Sequence, residues 1–219
     1  AMEYLQGMNL QELLEKKITL DPLMAVTVLK EICAGLIDPH EAGLVHRDLK
    51  PGNIFLVPNP VGGYFIKILD FGVVKQLNDD ESLSHANSAM GSPLYMSPEQ
   101  IRNGKIDARS DLYSLGVMMF QMITGHFPFK ARSPIKLLKM HLSVLPPTFI
   151  KSNPNIKLLP EIEEFTRKAM EKDADHRQKD VRQMLKELDS ISEKLSEESY
   201  DDKASLWLEE MKFSGTKPM

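Results

Sequence analysis

The chain has a single cysteine, Cys33, in 219 residues. No internal disulfide can form, and no zinc site can be built from cysteine ligands. Cys33 falls in an apolar helical pattern, which reads as a buried small hydrophobe rather than a nucleophile. A reducing, cytoplasmic setting fits that usage. No run approaches the ~18 apolar residues that a membrane-spanning helix needs. The first residues show neither the basic nor the apolar region of a signal peptide. Net positive charge is lacking too: the formal charge is -4. That excludes an overall basic field able to gather nucleic acid or an anionic membrane surface. The charge is uneven, because residues 161–219 hold 11 Lys/Arg against 16 Asp/Glu. Such an acidic, Lys/Glu-rich stretch reads as a solvated helical surface. There is no internal repeat and no low-complexity tract.

What is present is an ordinary globular composition, 42% hydrophobic and 26% charged, and enough chain for one sizeable core. LQELLEKK, Leu10 to Lys17, predicts a short helix. A longer helix is expected from about Pro22 to Ala42, with Asp21 as N-cap and Pro22 at the first helical position. Met24, Val28, Ile32 and Leu36 supply its 3.6 period, and Pro39 should end or kink it. Leu44-Val45, Ile54–Val57 and Phe65–Leu69 are β-type runs. PNPVGG between the last two predicts a hairpin. Residues 76–92 are polar and aperiodic, a long loop of the kind that is usually functional or disordered. Ser110 to Thr124 is apolar on several faces and predicts a buried central helix. Further helices are expected over 134–142, 160–171 and 178–195. Trp207 and Leu208 lie in a terminal stretch that caps the domain, begins a linker or frays.

Four motifs carry chemistry. HRDLKPGN (His46 to Asn53) packs Asp48, Lys50 and Asn53 into six residues before a short strand. ILDFG (Ile68 to Gly72) follows the next strand. GSPLYMSPEQ (Gly91 to Gln100) and SDLYSLG (Ser110 to Gly116) lead into the buried helix. Taken singly, an Asp near an Asn is turn chemistry and DFG is a weak signal. In this order and spacing they resemble the signature set of the protein-kinase family, over residues 2 to about 195.

The resemblance implies a mainly α fold with a small β portion. It further implies the larger lobe of a serine/threonine kinase of bacterial style, residues 1–195, with 196–219 as an extension or linker. It implies ATP and Mg²⁺ as cofactors and proteins with Ser/Thr acceptors as substrates. Asp48 would accept the acceptor hydroxyl's proton, and Lys50 would set a positive charge beside the γ-phosphate. Asn53 and Asp70 would hold Mg²⁺ through hard oxygen ligands. Met2, Glu3 and Leu5, in an inter-lobe hinge spanning 2–7, would meet adenine, with Phe55 as the floor beneath the base. Arg47 would receive an activation-loop phosphate, with Ser88 as the candidate site and Ser82 and Ser84 as rivals. Ser92 would shape the pocket next to the acceptor. His46 and Phe71 would belong to an internal apolar spine. Glu99 would pair with Arg177 in a buried ion pair, and Asp111 would take backbone hydrogen bonds from the catalytic loop.

The sequence also departs from the family. SPE stands where Ala-Pro-Glu is usual. Asp48 and Asp70 are 22 positions apart, a little long, with PNPVGG absorbing the excess. No glycine-rich loop, phosphate-binding Lys strand or partner helix precedes the hinge. The expectation is therefore that the small lobe is absent from these residues and that the chain alone is weakly active or inactive. A non-catalytic docking or scaffold module, pseudokinase-like, is the alternative.

Overall fold

The computed structural model describes residues 6–60, 63–70, 93–157 and 160–198. Strand β1 (Met8–Asn9) runs directly into α1 (Leu10–Lys17), whose N-cap is Asn9. Asn9 Oδ1 accepts from the Glu12 amide at 2.9 Å, and Asn9 Nδ2 donates to Glu12 Oε1 at 2.9 Å. This satisfies helix-end groups that would otherwise lack partners. Helix α2 spans Pro22–Glu41, with Asp21 capping the Leu23 amide at 3.0 Å. Pro39 lies inside its last turn and does not stop it. A proline there removes its own amide donor and crowds the carbonyl four residues back, but the helix ends two residues later, at Glu41.

Leu44-Val45 form no strand. The helix end holds this backbone instead: the Gly43 amide donates to the His40 carbonyl at 3.0 Å and the Leu44 amide to the Pro39 carbonyl at 2.9 Å. The expected hairpin is present. β2 (Ile54–Pro58) pairs antiparallel with β3 (Tyr64–Ile68), Ile54 opposite Ile68 and Pro58 opposite Tyr64. β1 adds on the other side of β2, Met8 opposite Leu56 and Asn9 opposite Phe55. Gly7 makes this approach possible. Its φ is +149°, and a Cβ there would meet the Leu56 carbonyl oxygen at 2.1 Å. Strand alternation sends Ile54 and Leu56 into the core and leaves Phe55, Val57, Phe65 and Lys67 on the opposite face.

The remainder is helical: α3 (Pro98–Ile101), α4 (Ala108–Thr124), α5 (Pro134–Ser143), α6 (Phe149–Ser152), α7 (Pro160–Ala169) and α8 (Val181–Glu198). Every residue of α4 from Ser110 to Thr124 is buried, so this is the central helix that its all-round apolarity predicts. Asp107 caps its start, and Gly125 ends it in the left-handed conformation at φ +72°. Gly116 lets α7 press against α4. A Cβ at 116 would lie 2.8 Å from Ala169 Cβ and 3.0 Å from Met170 Cγ. α2 lies against both α4 and α8, and Lys30 pairs with Asp189 across the α2–α8 contact at 2.7 Å. Among the described residues, no helix is long and apolar enough to cross a membrane.

Candidate active site

The segment between α2 and β2 is extended and closes in a 3₁₀ turn, Pro51–Asn53. Its outer side carries three of the expected residues together. Lys50 Nζ donates to Asp48 Oδ2 at 2.7 Å. Asn53 Nδ2 donates to the Asp48 carbonyl at 2.8 Å and approaches Asp48 Oδ2 at 3.5 Å. Asp48 and Lys50 are each about one-third exposed, whereas Asn53 is 9% exposed. Because Nδ2 is committed to the loop carbonyl, the Asn53 amide presents Oδ1 as its acceptor end.

The inner side anchors the segment. His46 is fully buried and its Nε2 lies 2.9 Å from the Leu69 carbonyl. The Asp48 amide donates to His46 Nδ1 at 3.3 Å, so Nδ1 is the acceptor and Nε2 carries the proton. The Leu69 amide donates to the Asn53 carbonyl at 2.8 Å. Leu69 is thus held from both ends of the HRDLKPGN segment, and Asp70 follows it directly, with an exposed side chain. Two backbones here lie in the left-handed region: Arg47 at φ 67° and Asp70 at φ 52°.

Asp111, at the first turn of α4, is 1% exposed. Its Oδ2 accepts from the His46 amide at 2.8 Å and its Oδ1 from the Arg47 amide at 2.9 Å. His40 Nε2 completes the set, 2.8 Å from Asp111 Oδ2. Arg47 is exposed, and its carbonyl accepts from Gln100 Nε2 at 2.7 Å. Gln100 forms a capping box with Ser97 at the start of α3.

Deeper still, Arg177 meets Glu99 in a two-pronged pair, Nη1 to Oε1 and Nη2 to Oε2, both 2.8 Å. Arg177 Nε donates to the Glu171 carbonyl at 2.8 Å and Nη1 to the Arg109 carbonyl at 2.9 Å, while the guanidinium lies 5.0 Å from the Tyr113 ring centre. Ser110 Oγ adds a 2.6 Å bond to Glu99 Oε1. Burial alone would raise the Glu99 carboxyl, but the Arg177 bonds and charge, with the Ser110 hydroxyl, hold it below its ordinary value.

Asp48, Lys50 and Asn53 are therefore gathered at one place, with Asp70 at the end of the strand tied to them. Phe55 stands on the outward face of β2. Met2, Glu3, Leu5, Phe71, Ser88 and Ser92 lie outside the described residues. Three further contributors have no role assigned from the sequence: His40, outside the motifs, and Gln100 and Ser110, which end and begin two of them. The Ser97-x-x-Gln100 capping signature was the available signal for Gln100. His40 carries none, since a histidine near a helix end has no distinctive pattern.

The donor set suits Mg²⁺ with a phosphorylated nucleotide. Among the described residues, no three His, Cys, Asp or Glu side chains form a self-sufficient metal cage. An amide oxygen and a carboxylate that share a metal with phosphate oxygens match the preference of Mg²⁺ for hard, partly non-protein shells.

This fold, with a carboxylate–lysine–asparagine cluster beside an aspartate just past the adjoining strand, is protein-kinase-like, and the chain belongs to the protein kinase domain family, which it matches over residues 1–189. It is 35% identical over 194 residues to the serine/threonine-protein kinase pkn3 of Myxococcus xanthus, covering 87% of this chain and 36% of that protein. To PrkC of Bacillus subtilis it is 35% identical over 177 residues, 81% of this chain and 26% of the relative. To PknB of Mycolicibacterium smegmatis it is 32% identical over 196 residues, 88% and 30%. The chain thus spans little more than a third, or less, of these relatives. The crystal structure of the PknI kinase domain from Mycobacterium tuberculosis matches with a TM-score of 0.65 at 19% identity, over 87% of this chain and 64% of that one. At that identity the likeness is one of fold.

Proposed function

We propose that the chain is the catalytic lobe of a cytoplasmic serine/threonine protein kinase that moves the γ-phosphate of ATP to a Ser or Thr hydroxyl of a protein. The observation that carries this reading is the contact of Lys50 Nζ with Asp48 Oδ2, and of Asn53 with the Asp48 carbonyl. Asp48 accepts the acceptor's proton at a carboxylate oxygen and aims the hydroxyl oxygen. Lys50 holds that carboxylate in place and offers positive charge to the migrating phosphoryl group. Asn53 Oδ1 and the Asp70 carboxylate hold Mg²⁺, which when bound neutralises charge on the triphosphate. Phe55 supplies an apolar surface beneath the base, with Met2, Glu3 and Leu5 at its edge. Arg47, beside Asp48, receives a phosphate placed on Ser88, and Ser92 shapes the acceptor pocket.

These 219 residues contain no Gly-x-Gly pattern. We read them as the larger lobe alone. Its nucleotide would be held from one side, with phosphates left in water where electrostatic stabilisation is weak. The chain by itself is then expected to transfer little phosphate, and a longer polypeptide that also carries the small lobe to transfer it well. The test measures radiolabelled γ-phosphate transfer to a generic acceptor protein for both forms, each with its Asp48→Asn counterpart. Asp48-dependent transfer by the longer form alone supports the reading. Robust transfer by the 219-residue chain refutes the one-lobe part. Transfer by the longer form that persists without Asp48 refutes the assigned base.

A further inference from the structure

The two flanks of α7 differ. α8 covers one of them, with Lys168 Nζ 2.6 Å from Glu187 Oε1 and Lys194 Nζ 2.7 Å from Glu161 Oε1. The other flank borders an open groove of about 540 Å³, bounded on its far side by the segment that joins α5 to α6. Phe120 and Phe149 form its floor, both buried and packed edge to face with ring centres 5.3 Å apart. Leu145, Pro147 and Pro160 stand at its rim, and Leu145 is 71% exposed. Val144, next to it, is exposed as well. Large apolar side chains left in water around an apolar groove mark a surface that another element covers. Glu163 and Glu164 stand on the α7 wall with Arg167, and neither carboxylate has an ion-pair partner among the described residues.

The described residues end at Glu198, on α8. The Lys194–Glu161 contact puts the last turn of α8 beside the start of α7, and Pro160 there lines the groove. Ala204 comes six residues after Glu198, a span of about 20 Å when extended, against about 15 Å for the ten residues of α7. The residues from 204 onward are therefore within reach of the whole groove. Their sequence fits it too. Ala204, Trp207, Leu208 and Met211 recur at i, i+3, i+4 and i+7, the spacing of one helix face. Lys203 and Lys212 stand four residues from Trp207 and from Leu208, at the two edges of that face. Leu206, Glu209, Glu210 and Phe213 fall on the opposite side.

We propose that residues 203–212 dock in this groove as a short amphipathic helix, with Trp207 and Leu208 over Phe149 and Leu145 and the two lysines beside Glu163 and Glu164. The occupant is the chain's own segment because its reach, apolar period and charge all match. A short tether also supplies a local concentration that a separate protein lacks. Burial of Trp207 and Leu208 supplies the attraction, and two unpaired carboxylates gain partners. Docked, the segment seals the apolar groove from other proteins and leads the chain after residue 213 away from α8, along α7. This contact is independent of phosphate transfer.

Trp207 is the chain's only tryptophan, so its fluorescence reads the contact directly in the full chain. Expected are emission at short wavelength and weak quenching by acrylamide. Leu145→Glu, at an exposed position, should move the emission to that of tryptophan in water and raise the quenching severalfold, with the circular-dichroism spectrum unchanged. Lys203→Glu/Lys212→Glu should raise the quenching in part, and adding Glu163→Lys/Glu164→Lys should restore protection. Leu206→Ser and Phe213→Ser, on the opposite side, should change nothing. Free quenching of Trp207 in the natural chain overturns the proposal. So does protection that survives Leu145→Glu, which would put Trp207 elsewhere, as do equal loss in Leu206→Ser and charge reversal without rescue. Protection that falls on dilution, together with a dimeric mass in sedimentation, would make a second copy the occupant and likewise overturn docking within one chain.

Discussion

Asp48 and Asp111 lie on opposite sides of the HRD segment, the first within it and the second reaching it from α4. Asp48 is about one-third exposed and pairs with the equally exposed ammonium of Lys50. Asp111 is 1% exposed and has two backbone amides and an imidazole as partners. A carboxylate in contact with water can admit a substrate. One sealed against fixed donors cannot, but it dictates where the backbone runs. The pair shows a division about the HRD segment: the proposed chemistry on its wet side, shape on its dry side. The Glu99–Arg177 pair extends the dry side further, connecting α3 to the turn before α8.

The sharpest way to break this comparison is at Asp48. In a polypeptide carrying both lobes, Asp48→Asn is expected to lower phosphate transfer about 10²–10⁴-fold with an unchanged melting temperature. A large drop in melting temperature would mean that Asp48 shapes the loop after all. Next is Arg177→Leu, which leaves the Glu99 carboxylate unpaired in the interior. It should cost about 3–5 kcal/mol in denaturant unfolding. The pH response has a defined sign. Glu99 titrates below its ordinary 4.5 in the folded chain, so its contribution is complete above that pH and is lost as the pH falls through the lowered value. The natural chain should therefore lose more stability below pH 4.5 than Arg177→Leu does.

Asp111→Ala removes the shared acceptor of the His46 and Arg47 amides. A loss of roughly 2–4 kcal/mol is expected from two buried donors left without partners, read by the same unfolding curves. Transfer activity should fall in parallel because the loop loses its seat. Smallest is Gly116→Ala, where the new methyl collides with Ala169 and α4 must move from α7. About 1–3 kcal/mol is expected, with activity per folded molecule unchanged.

Much of this was legible in the sequence, for identifiable reasons. α4 declared itself because apolar residues on every face admit only a buried helix. The β2–β3 hairpin was legible because PNPVGG separates two β-type runs. The cluster of Asp48, Lys50 and Asn53 sits within six residues, so local geometry alone nearly guarantees their proximity. Features set by distant partners were harder to read. β1 is two residues long and has no period of its own; it exists because Leu56 and Phe55 lie opposite. Leu44-Val45 has strand composition, yet the Leu44 amide is engaged by the end of α2. His40 reaches Asp111 across 71 positions, a relation no local pattern encodes.

The left-handed backbone at Arg47 and Asp70 has an evolutionary corollary. Each conformation carries a penalty of roughly 1–2 kcal/mol for a residue with a side chain. Glycine at either position would relax the chain, so selection for robustness alone would favour it. A persistent arginine and aspartate would record the opposite pressure, a fold kept slightly tense where its proposed work is done.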